Sequence, residues 1–395
     1  MDALNECRIS PTAAAVFIGA DEYRRHSYGA NHPLSIPRVS LTFDLINAYG
    51  AMLPQEYRHG RLASDAELCG FHTPEYVQAL KRCEALGGVS DAYRQRHNIG
   101  NLENPWFPGF FSTPALATGS SVQGAEEVLG GRRAFSPAGG MHHARPDRAQ
   151  GFCYFNDAVL AVRRLRQAGL RVLYVDIDAH HGDGVEEAFA GDPDVFTLSL
   201  HMDTRYAYPF RGGAVTDQGA ASGAGTCLNL PLPRATNDSE YALVFESLWP
   251  AVLSVFSPGA VVLQAGTDVL YGDPLGKLRV STQQFLAVVA SIVRDSPRLL
   301  VIGGGGYHPL LLARCWAGVW ALLSGRELPV ALPAAGQALM RATGWEDDDD
   351  TDEAEERRET LLRARLDADR RGPVRAEVYA LLDQVRRLHP LMASL

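Results

Sequence analysis

Acidic residues and histidines are concentrated directly after an apolar stretch in VLYVDIDAHHGDGVEEAF, residues 172–189. Charged groups at the end of a buried strand are costly unless they are paired or bind a cation. Asp178 and His180 are two residues apart, so in an extended strand end their side chains point to the same side. A carboxylate and an imidazole are suitable ligands for Zn²⁺ or a similar divalent ion. A third ligand has to come from another strand end, and Asp268 in AGTDVLYGDP is our candidate.

The same residues also admit structural roles. Taken alone, Asp178 and His180 could be a capping aspartate beside a packed histidine. Asp183 begins D-G-V-E, a capping-box pattern at the start of a helix. A carboxylate can accept from a helix N-terminus and from an imidazole, so both roles stay open for Asp183.

Two adjacent histidines, His142 and His143, follow a Gly-Gly turn in AGGMHHARPDRAQGF. Neutral imidazoles near pH 7 suit general acid–base catalysis. A paired carboxylate would orient each ring, and Asp176 and Asp183 are available for that purpose. A pair of histidines in a polar loop is the structural alternative for this stretch.

A run of four glycines precedes Tyr307 in GGGGYHP, residues 303–309. The run lacks the Lys-Ser/Thr of a P-loop and the G-x-G-x-x-G spacing, which disfavours a nucleotide site. The glycines would instead let Tyr307 project into a site, where a phenol can donate a hydrogen bond to a developing oxyanion. A divalent ion, two imidazoles and a phenol together suit hydrolysis of an amide or ester.

The elements that must position these residues are apolar strands that alternate with amphipathic helices. Strands that are apolar throughout, each followed by a helix, predict a parallel sheet covered on both faces. Ligands in such sheets bind beyond the carboxyl ends of the strands, where the candidate residues fall. The predicted strands are 14–18, 171–177, 194–201, 259–265 and 298–304. The predicted helices are 38–50, 156–169 with Asn156 as N-cap, one from about 239, 282–295 and 309–324, and a long loop is predicted between 201 and 239.

Composition sets limits on the class of protein. The 395 residues are 46% apolar and 21% charged, which is ordinary for a globular protein. No uncharged apolar run reaches the roughly 18 residues of a membrane span, and MDALNECRIS has no apolar core, so we expect no secretory signal. The six cysteines form no C-x-x-C, which argues against a cysteine zinc knuckle and predicts a reduced, cytoplasmic compartment.

The net charge of −9 comes mostly from residues 346–359, where ten acids face two arginines and contribute −8. The remaining −1 gives no electrostatic case for nucleic-acid binding. We therefore expect neither a nucleic-acid nor a membrane partner, and a homo-oligomer stays open. The acidic run is interpreted as a solvated linker or helix face, with a docking site for a basic partner as the alternative.

Four motifs resemble the zinc-dependent histone deacetylase superfamily, and its class I and bacterial acetoin-utilisation-type branches look nearest. They are AGGMHHARPDRAQGFCYFNDAV, DIDAHHGDGVEEAF, QAGTDVLYGDPLGKL and VIGGGGYHPLLLARCW. The resemblance runs from about residue 14 to 325. It implies the arginase/deacetylase fold, a single α/β domain around a largely parallel eight-stranded sheet. We expect a deacetylase catalytic domain over 1–330, followed by an acidic linker and C-terminal helical extension over 331–395.

The resemblance implies one zinc ion per chain and a role for each catalytic candidate. His142 and His143 match the tandem histidines of the family, paired with Asp176 and Asp183. By analogy His143 is the general base and acid, while His142 tunes the charge. Tyr307 matches the oxyanion-stabilising tyrosine. The implied zinc ligands are Asp178, His180 and Asp268.

The resemblance also implies potassium and substrate positions. The implied potassium ligands are Asp176, the Ser199 hydroxyl and the backbone oxygens of Asp178, His180 and Leu200, and a second monovalent site would use Phe189, Asp192 and Val195. The implied substrate positions are Phe152, Tyr208 and Leu275 as channel walls, Gly151 beside them, Glu103 as the rim acid and Arg38 as the arginine beneath the site linked to acetate exit.

Three departures from the family pattern leave the acyl chain and the body of the substrate open. Residues 208–212 read YPFRG where F-P-G-T-G is usual, Thr267 replaces an alanine, and His308 replaces a small or polar residue. The related ureohydrolases hold two manganese ions through D-A-H-x-D. Gly182 stands where that second carboxylate would be, so we expect one catalytic metal.

We expect an amidohydrolase that removes acetyl groups from protein lysine and releases acetate. The alternatives are a deacetylase of N-acetylpolyamines or another small amide, and a longer-chain lysine deacylase. The sequence A-G-G-M-H-H, rather than R-P-P-G-H-H, favours lysine. The intact set of candidate residues argues against a non-catalytic binding protein, and Fe²⁺ could occupy the same O/N site as zinc.

Overall fold

One sheet organises the molecule. The computed structural model describes residues 14–25, 28–29, 31–343, 345 and 352–390. Their eight strands are β1 (Ala15–Gly19), β2 (Tyr57–His59), β3 (Arg133–Ser136), β4 (Val172–Asp176), β5 (Val195–Met202), β6 (Cys227–Leu232), β7 (Ala260–Gln264) and β8 (Leu299–Ile302). The strand order is β2-β1-β3-β8-β7-β4-β5-β6, and every pair is parallel.

Helices cover both faces of the sheet, and their apolar sides form the core. They are α1 (Arg38–Ala48), α2 (Asp65–Leu68), α3 (Pro74–Leu86), α4 (Asp91–His97), α5 (Ser112–Leu129), α6 (Asp157–Gln167), α7 (Asp183–Phe189), α8 (Asp238–Phe256), α9 (Thr282–Asp295), α10 (Pro309–Ser324), α11 (Ala334–Ala342), α12 (Asp352–Arg363) and α13 (Ala376–Leu388). Strands β4, β7 and β8 are buried at every position. Such continuous apolar runs are what a parallel sheet between two helical layers requires. The predicted fold class is confirmed.

Local sequence features begin and end α6 as predicted. The Asn156 side chain accepts a hydrogen bond from the amide of Val159, 3.1 Å away, and so caps α6. Gly169 has a φ of 79°, a left-handed conformation that suits glycine just after a helix.

The prediction of an uninterrupted loop between residues 201 and 239 is wrong, because β6 lies within it. Its sequence CLNLPL contains Pro231, which cannot donate to a sheet ladder and therefore weakens a strand prediction. β6 is the last strand of the sheet, and proline is tolerated on such an edge.

The C-terminal helices pack against the main core. Arg375 binds the buried carboxylate of Glu240 in α8 with a Nε–Oε1 distance of 2.6 Å. The division into segments 1–330 and 331–395 stays a prediction. The acidic residues 346–350 lie outside the described residues. The apolar side chains that the two last helices bury are Leu361, Leu362, Val378, Leu381, Leu382 and Val385.

None of the helices in the described part of the chain is both long enough and apolar enough to cross a bilayer. The cytoplasmic location stays a prediction.

Candidate active site

The candidate residues follow the carboxyl ends of β3, β8, β7 and β4, which are neighbours in the sheet. β3 leads to His142 and His143, β8 to Tyr307, β7 to Asp268 and β4 to Asp178. Because all strands of a parallel sheet run in the same direction, their carboxyl ends lie along one side of the sheet. Four loops that are far apart in sequence therefore meet there.

Asp178, His180 and Asp268 form a buried cluster with metal-binding geometry. Their ligand atoms all lie within 4.8 Å of one another. The imidazole Nδ1 of His180 is 2.8 Å from Oδ2 of Asp268. Burial, together with the nearby Asp178 carboxylate, raises the pKa of Asp268 to about 7. Two carboxylates and an imidazole that are buried together suit a divalent cation, which would neutralise their charge.

The surrounding backbone is shaped to the two carboxylates. A Cβ on Gly266 would lie 2.0 Å from Oδ2 of Asp178, and one on Gly305 would lie 2.1 Å from Oδ2 of Asp268. Glycines after β7 and β8 therefore make room for these two carboxylates. The amide of Gly305 and the side chain of Gln264 donate to Asp178 at 2.6 and 2.8 Å. The donor set, its burial and this support fit a resident divalent ion such as zinc.

The tandem histidines form a hydrogen-bonded chain between two aspartates. Nδ1 of His142 lies 2.8 Å from Asp176, and Nδ1 of His143 lies 2.8 Å from Asp183. Burial disfavours a charged His142, but the carboxylates of Asp176 and Asp178 outweigh it and raise its pKa to about 9. Burial and the charge on His142 lower the pKa of His143 to about 4. These shifts favour a neutral His143 beside a charged His142.

Asp183 supports His143 and does not cap a helix, so the capping-box prediction is wrong. Gly182 is the N-cap of α7, and Asp183 is its first residue. The Asp183 carboxylate accepts from His143, from Arg145 at 2.5 Å and from Gln150 at 2.7 Å. Burial opposes ionisation of Asp183, but the hydrogen bond and charge of His143 and the charge of Arg145 outweigh it and hold the pKa of this carboxyl well below its usual value.

Tyr307 lies at the bottom of the site with its main chain fixed by Asp273. The Asp273 carboxylate accepts from the Tyr307 amide at 2.7 Å, and from the amides of Leu275 and Gly276. Burial and the Asp268 carboxylate hold the pKa of the Tyr307 phenol well above its usual value. The phenol thus keeps its proton and can donate it in a hydrogen bond.

A cavity of about 390 Å³ connects these groups to the surface. Phe152, Tyr208 and Leu275 line it, as the resemblance implies for channel walls, and His143, His180 and Tyr307 also line it. Gly151 lines the same cavity, and a Cβ there would lie 2.5 Å from the His143 ring. A larger residue at Gly151 would displace the histidine.

Glu103 and Arg38 line two different cavities of the site. Glu103 lines the cavity, and its oxygens accept from the Gly151 amide and the Tyr208 hydroxyl, both at 2.9 Å, and from two asparagine side chains. Arg38 is buried, donates to the carbonyl of Gly304 at 2.5 Å and lines a small second cavity with His142 and Tyr307. Their proposed roles in holding substrate and in acetate exit stay predictions.

The predicted potassium ligands lie on β4 and β5, which pair so that Asp176 is opposite Ser199. The Asp176 carboxylate already accepts from the Asp178 amide and the Tyr174 hydroxyl. The Ser199 hydroxyl lies 2.8 Å from Nδ1 of His201, and Leu200 follows it in β5. Potassium binding stays a prediction.

Sequence reasoning missed three supporting residues, Asp157, Gln264 and Asp273. Asp157 accepts from the amides of Gly140 and Met141 and so holds the loop before the histidines. A signal for such residues is a polar side chain at the end of an apolar strand, as for Gln264 at the end of β7. Their partners are remote in sequence, so only the strand order reveals the contacts.

Fold and site together define an α/β protein of the arginase/deacetylase type with a buried candidate metal site. A model of the histone deacetylase domain matches residues 32–323. The chain therefore belongs to the histone deacetylase family, whose members are deacetylating hydrolases.

Individual relatives show the same likeness. Histone deacetylase 8 of Xenopus tropicalis is 37% identical over 298 residues, which cover 75% of this chain and 80% of the relative. Histone deacetylase 1 of Homo sapiens is 37% identical over 311 residues, 78% of this chain and 64% of the relative. The chain thus spans less than two thirds of the human protein.

Solved structures extend the likeness to nearly the whole fold. The crystal structure of an HDAC homologue from Aquifex aeolicus has a TM-score of 0.90 and 40% identity, covering 94% of this chain and 99% of that one. A structure of an HDAC homologue complexed with SAHA gives the same values.

Proposed function

We propose that the chain is a zinc-dependent hydrolase that removes acetyl groups from lysine side chains of proteins and releases acetate. One observation carries the proposal. A cavity with apolar walls leads from the surface to the imidazole of His143, the cluster residue His180 and the phenol of Tyr307. That arrangement suits an extended aliphatic chain with an amide at its end.

Asp178, His180 and Asp268 would hold the zinc ion. When bound, zinc supplies a Lewis acid for the acetyl carbonyl and for the water that attacks it. Asp176, Ser199 and Leu200 would hold potassium next to this centre.

His143 acts as the general base. Its Nδ1–H donates to Asp183, which puts the lone pair of the ring on Nε2. This lone pair accepts from His142 before the substrate binds, and it takes the proton of the attacking water once that hydrogen bond is released. The same nitrogen then returns the proton to the lysine nitrogen as the amide C–N bond breaks. His142, charged and paired with Asp176, places a positive charge beside the reacting groups.

Tyr307 stabilises the oxyanion of the tetrahedral intermediate. Its phenol keeps its proton because burial disfavours the phenolate. Asp273 fixes the backbone of Tyr307, so the hydroxyl is positioned before the substrate arrives. A positioned donor of this type contributes roughly 10²–10³ in kcat.

The experiment is a comparison of kcat/KM for an acetyl-lysine peptide, longer acyl-lysine peptides and acetylated polyamines on the zinc-loaded protein. Tyr307→Phe serves as the matched variant, because it removes one oxygen atom and leaves the ring. We expect the acetyl-lysine peptide to be the best substrate. Tyr307→Phe should keep its zinc and its melting temperature and lose most of the turnover.

Two outcomes would contradict the proposal. A tenfold preference for polyamines or long acyl chains, about 1.4 kcal/mol of transition-state free energy, would keep the mechanism and replace the substrate. Unchanged turnover in Tyr307→Phe would remove the phenol from the mechanism.

A further inference from the structure

The mouth of the active-site cavity carries positive charge from two neighbouring loops. Arg234 and Lys277 both line the cavity and are exposed. The amide of Ala235 donates to the carbonyl of Lys277 at 2.8 Å, which joins the two loops side by side. The cationic side chains therefore belong to one stretch of the rim.

Within the described part of the chain, neither side chain forms an ion pair at 4.0 Å or less. The Lys277 ammonium donates to the carbonyl of Pro274, and the Arg234 guanidinium lies over the Tyr206 ring. Among the described residues that line the cavity, the acidic one is Glu103; its hydrogen-bond donors are neutral, so its charge offsets one of the two cations and leaves the rim positive. The rim charge is thus available to a ligand.

A second depression continues from the mouth. This outer groove, of about 450 Å³, runs between the β6 end and α13, and it shares Tyr206 and Arg234 with the active-site cavity. Its other cations are neutralised. Arg205 pairs with Asp203, and Arg375 pairs with Glu240 and Glu377. Arg234, at the junction of cavity and groove, is the cation that forms no ion pair among the described residues that line the groove, although Arg375 faces two carboxylates.

We propose that this mouth selects acetyl-lysine segments that carry a carboxylate beside the lysine, with the flanking chain extended across Arg234 into the outer groove. The inference rests on the proposed lysine deacetylase activity and names its substrate class. Opposite charges at a rim steer the encounter and fix the orientation of the partner. By the same charge, the mouth disfavours polycations such as acetylated polyamines.

The test uses three acetyl-lysine peptides of equal length whose two residues on each side of the lysine are Glu, Gln or Lys. We expect kcat/KM for the Glu peptide to exceed that for the Gln peptide roughly three- to tenfold, since exposed ion pairs are individually weak. The difference should lie mainly in KM. It should shrink toward about 1 M salt, where charges are screened beyond about 3 Å.

The variants assign the preference to the rim. In the double variant Arg234→Gln with Lys277→Gln, the ratio between Glu and Gln peptides should fall to about one. The matched control is Arg294→Gln, because Arg294 is also an exposed arginine. It lies near the end of α9, just before β8 begins, and therefore beside the amino ends of the strands, whereas the mouth lies beyond their carboxyl ends. This control should keep the wild-type ratio.

Separate results overturn the two proposals. Equal kcat/KM for Glu and Gln peptides in the wild type, or the same ratio in the double variant, refutes the charge selection and leaves deacetylation intact. If no peptide is hydrolysed while an acetylated polyamine is, lysine deacetylation fails and the charge selection fails with it.

Discussion

The Nε2 atoms of His142 and His143 lie 3.1 Å apart, and each ring turns its Nδ1 atom to a different aspartate. A hydrogen bond between two ring nitrogens needs one donor and one acceptor. Since Asp176 and Asp183 occupy both Nδ1–H groups, only one proton fits between the Nε2 atoms. The carboxylates around His142 keep that proton on His142, which leaves His143 as the acceptor.

This asymmetry predicts unequal effects of removing the two rings. His143→Ala should lower kcat by about 10²–10⁴-fold, since it removes the base. His142→Ala should lower kcat less, because it removes a charge and a hydrogen bond but no proton acceptor. Steady-state kinetics at saturating acetyl-lysine peptide measures both. An equal or larger loss in His142→Ala would reverse the two roles.

The metal cluster predicts a link between zinc content and stability. Metal analysis should give about one zinc ion per chain. A chelator should lower the melting temperature of the wild type, because an ion that binds only the folded state stabilises it. Asp268→Asn should lose most of the zinc and most of the chelator effect, independently of any activity measurement.

Asp91→Asn is the matched control for that experiment. Asp91 pairs with Arg94 on the surface, and its side chain is 85% exposed. This variant should keep its zinc and its response to the chelator. Full zinc occupancy in Asp268→Asn would place the ion elsewhere in the chain.

The sequence was sufficient to single out two of the pairs that the structure brings together at the candidate site, because their spacing is local. Asp178 and His180 are two residues apart and His142 and His143 are adjacent, so strand and turn geometry alone brings the members of each pair together, while their roles are implied by the resemblance. Fully apolar strands likewise predict a parallel sheet.

Contacts between remote segments could not be predicted in the same way. Gln264 reaches Asp178 only because β7 lies beside β4, and chain order does not give that pairing. The Asp183 capping box failed for a related reason: its local pattern was right for a helix start, but His143 and Arg145 approach from another loop. β6 was missed because Pro231 is unfavourable in a strand unless the strand is at an edge.

Asp157 predicts the cost of losing such a remote support. Its buried carboxylate accepts from the amides of Gly140 and Met141 at 3.0 and 2.8 Å, and from the Ser121 hydroxyl at 2.6 Å. Asp157→Ala leaves these donors without a partner, at a cost of about 1–3 kcal/mol for each donor that water does not reach. Urea unfolding should show this loss in the free energy of unfolding.

Asp157→Asn is the conservative counterpart. Its amide oxygen can still accept from Gly140 and Met141, while its NH₂ group can donate to the Ser121 hydroxyl. We expect a clearly smaller loss than in Asp157→Ala. Equal losses in the two variants would show that charge, and not the acceptor, holds the loop before the histidines.

A pH-dependent stability term follows from the buried imidazole of His72. Its Nδ1 donates to the carbonyl of Arg145 and its Nε2 accepts from the amide of Asn156, both at 3.0 Å. Burial lowers its pKa from 6.5 to about 3, although the carbonyl partner opposes the shift. Protonation would turn Nε2 into a second donor facing the Asn156 amide.

The sign of the effect is set by the unfolded chain. Below pH 6.5 the unfolded state takes up a proton on His72 that the folded state does not, so stability falls as the pH is lowered. The loss is about 1.4 kcal/mol per pH unit until the pH approaches the folded pKa.

His72→Gln keeps a donor and an acceptor but does not titrate. The free energy of unfolding of the wild type, relative to that of His72→Gln, should therefore be about 2 kcal/mol lower at about pH 5 than at about pH 7. Parallel pH profiles for the two proteins would show instead that the folded state accommodates a charged His72.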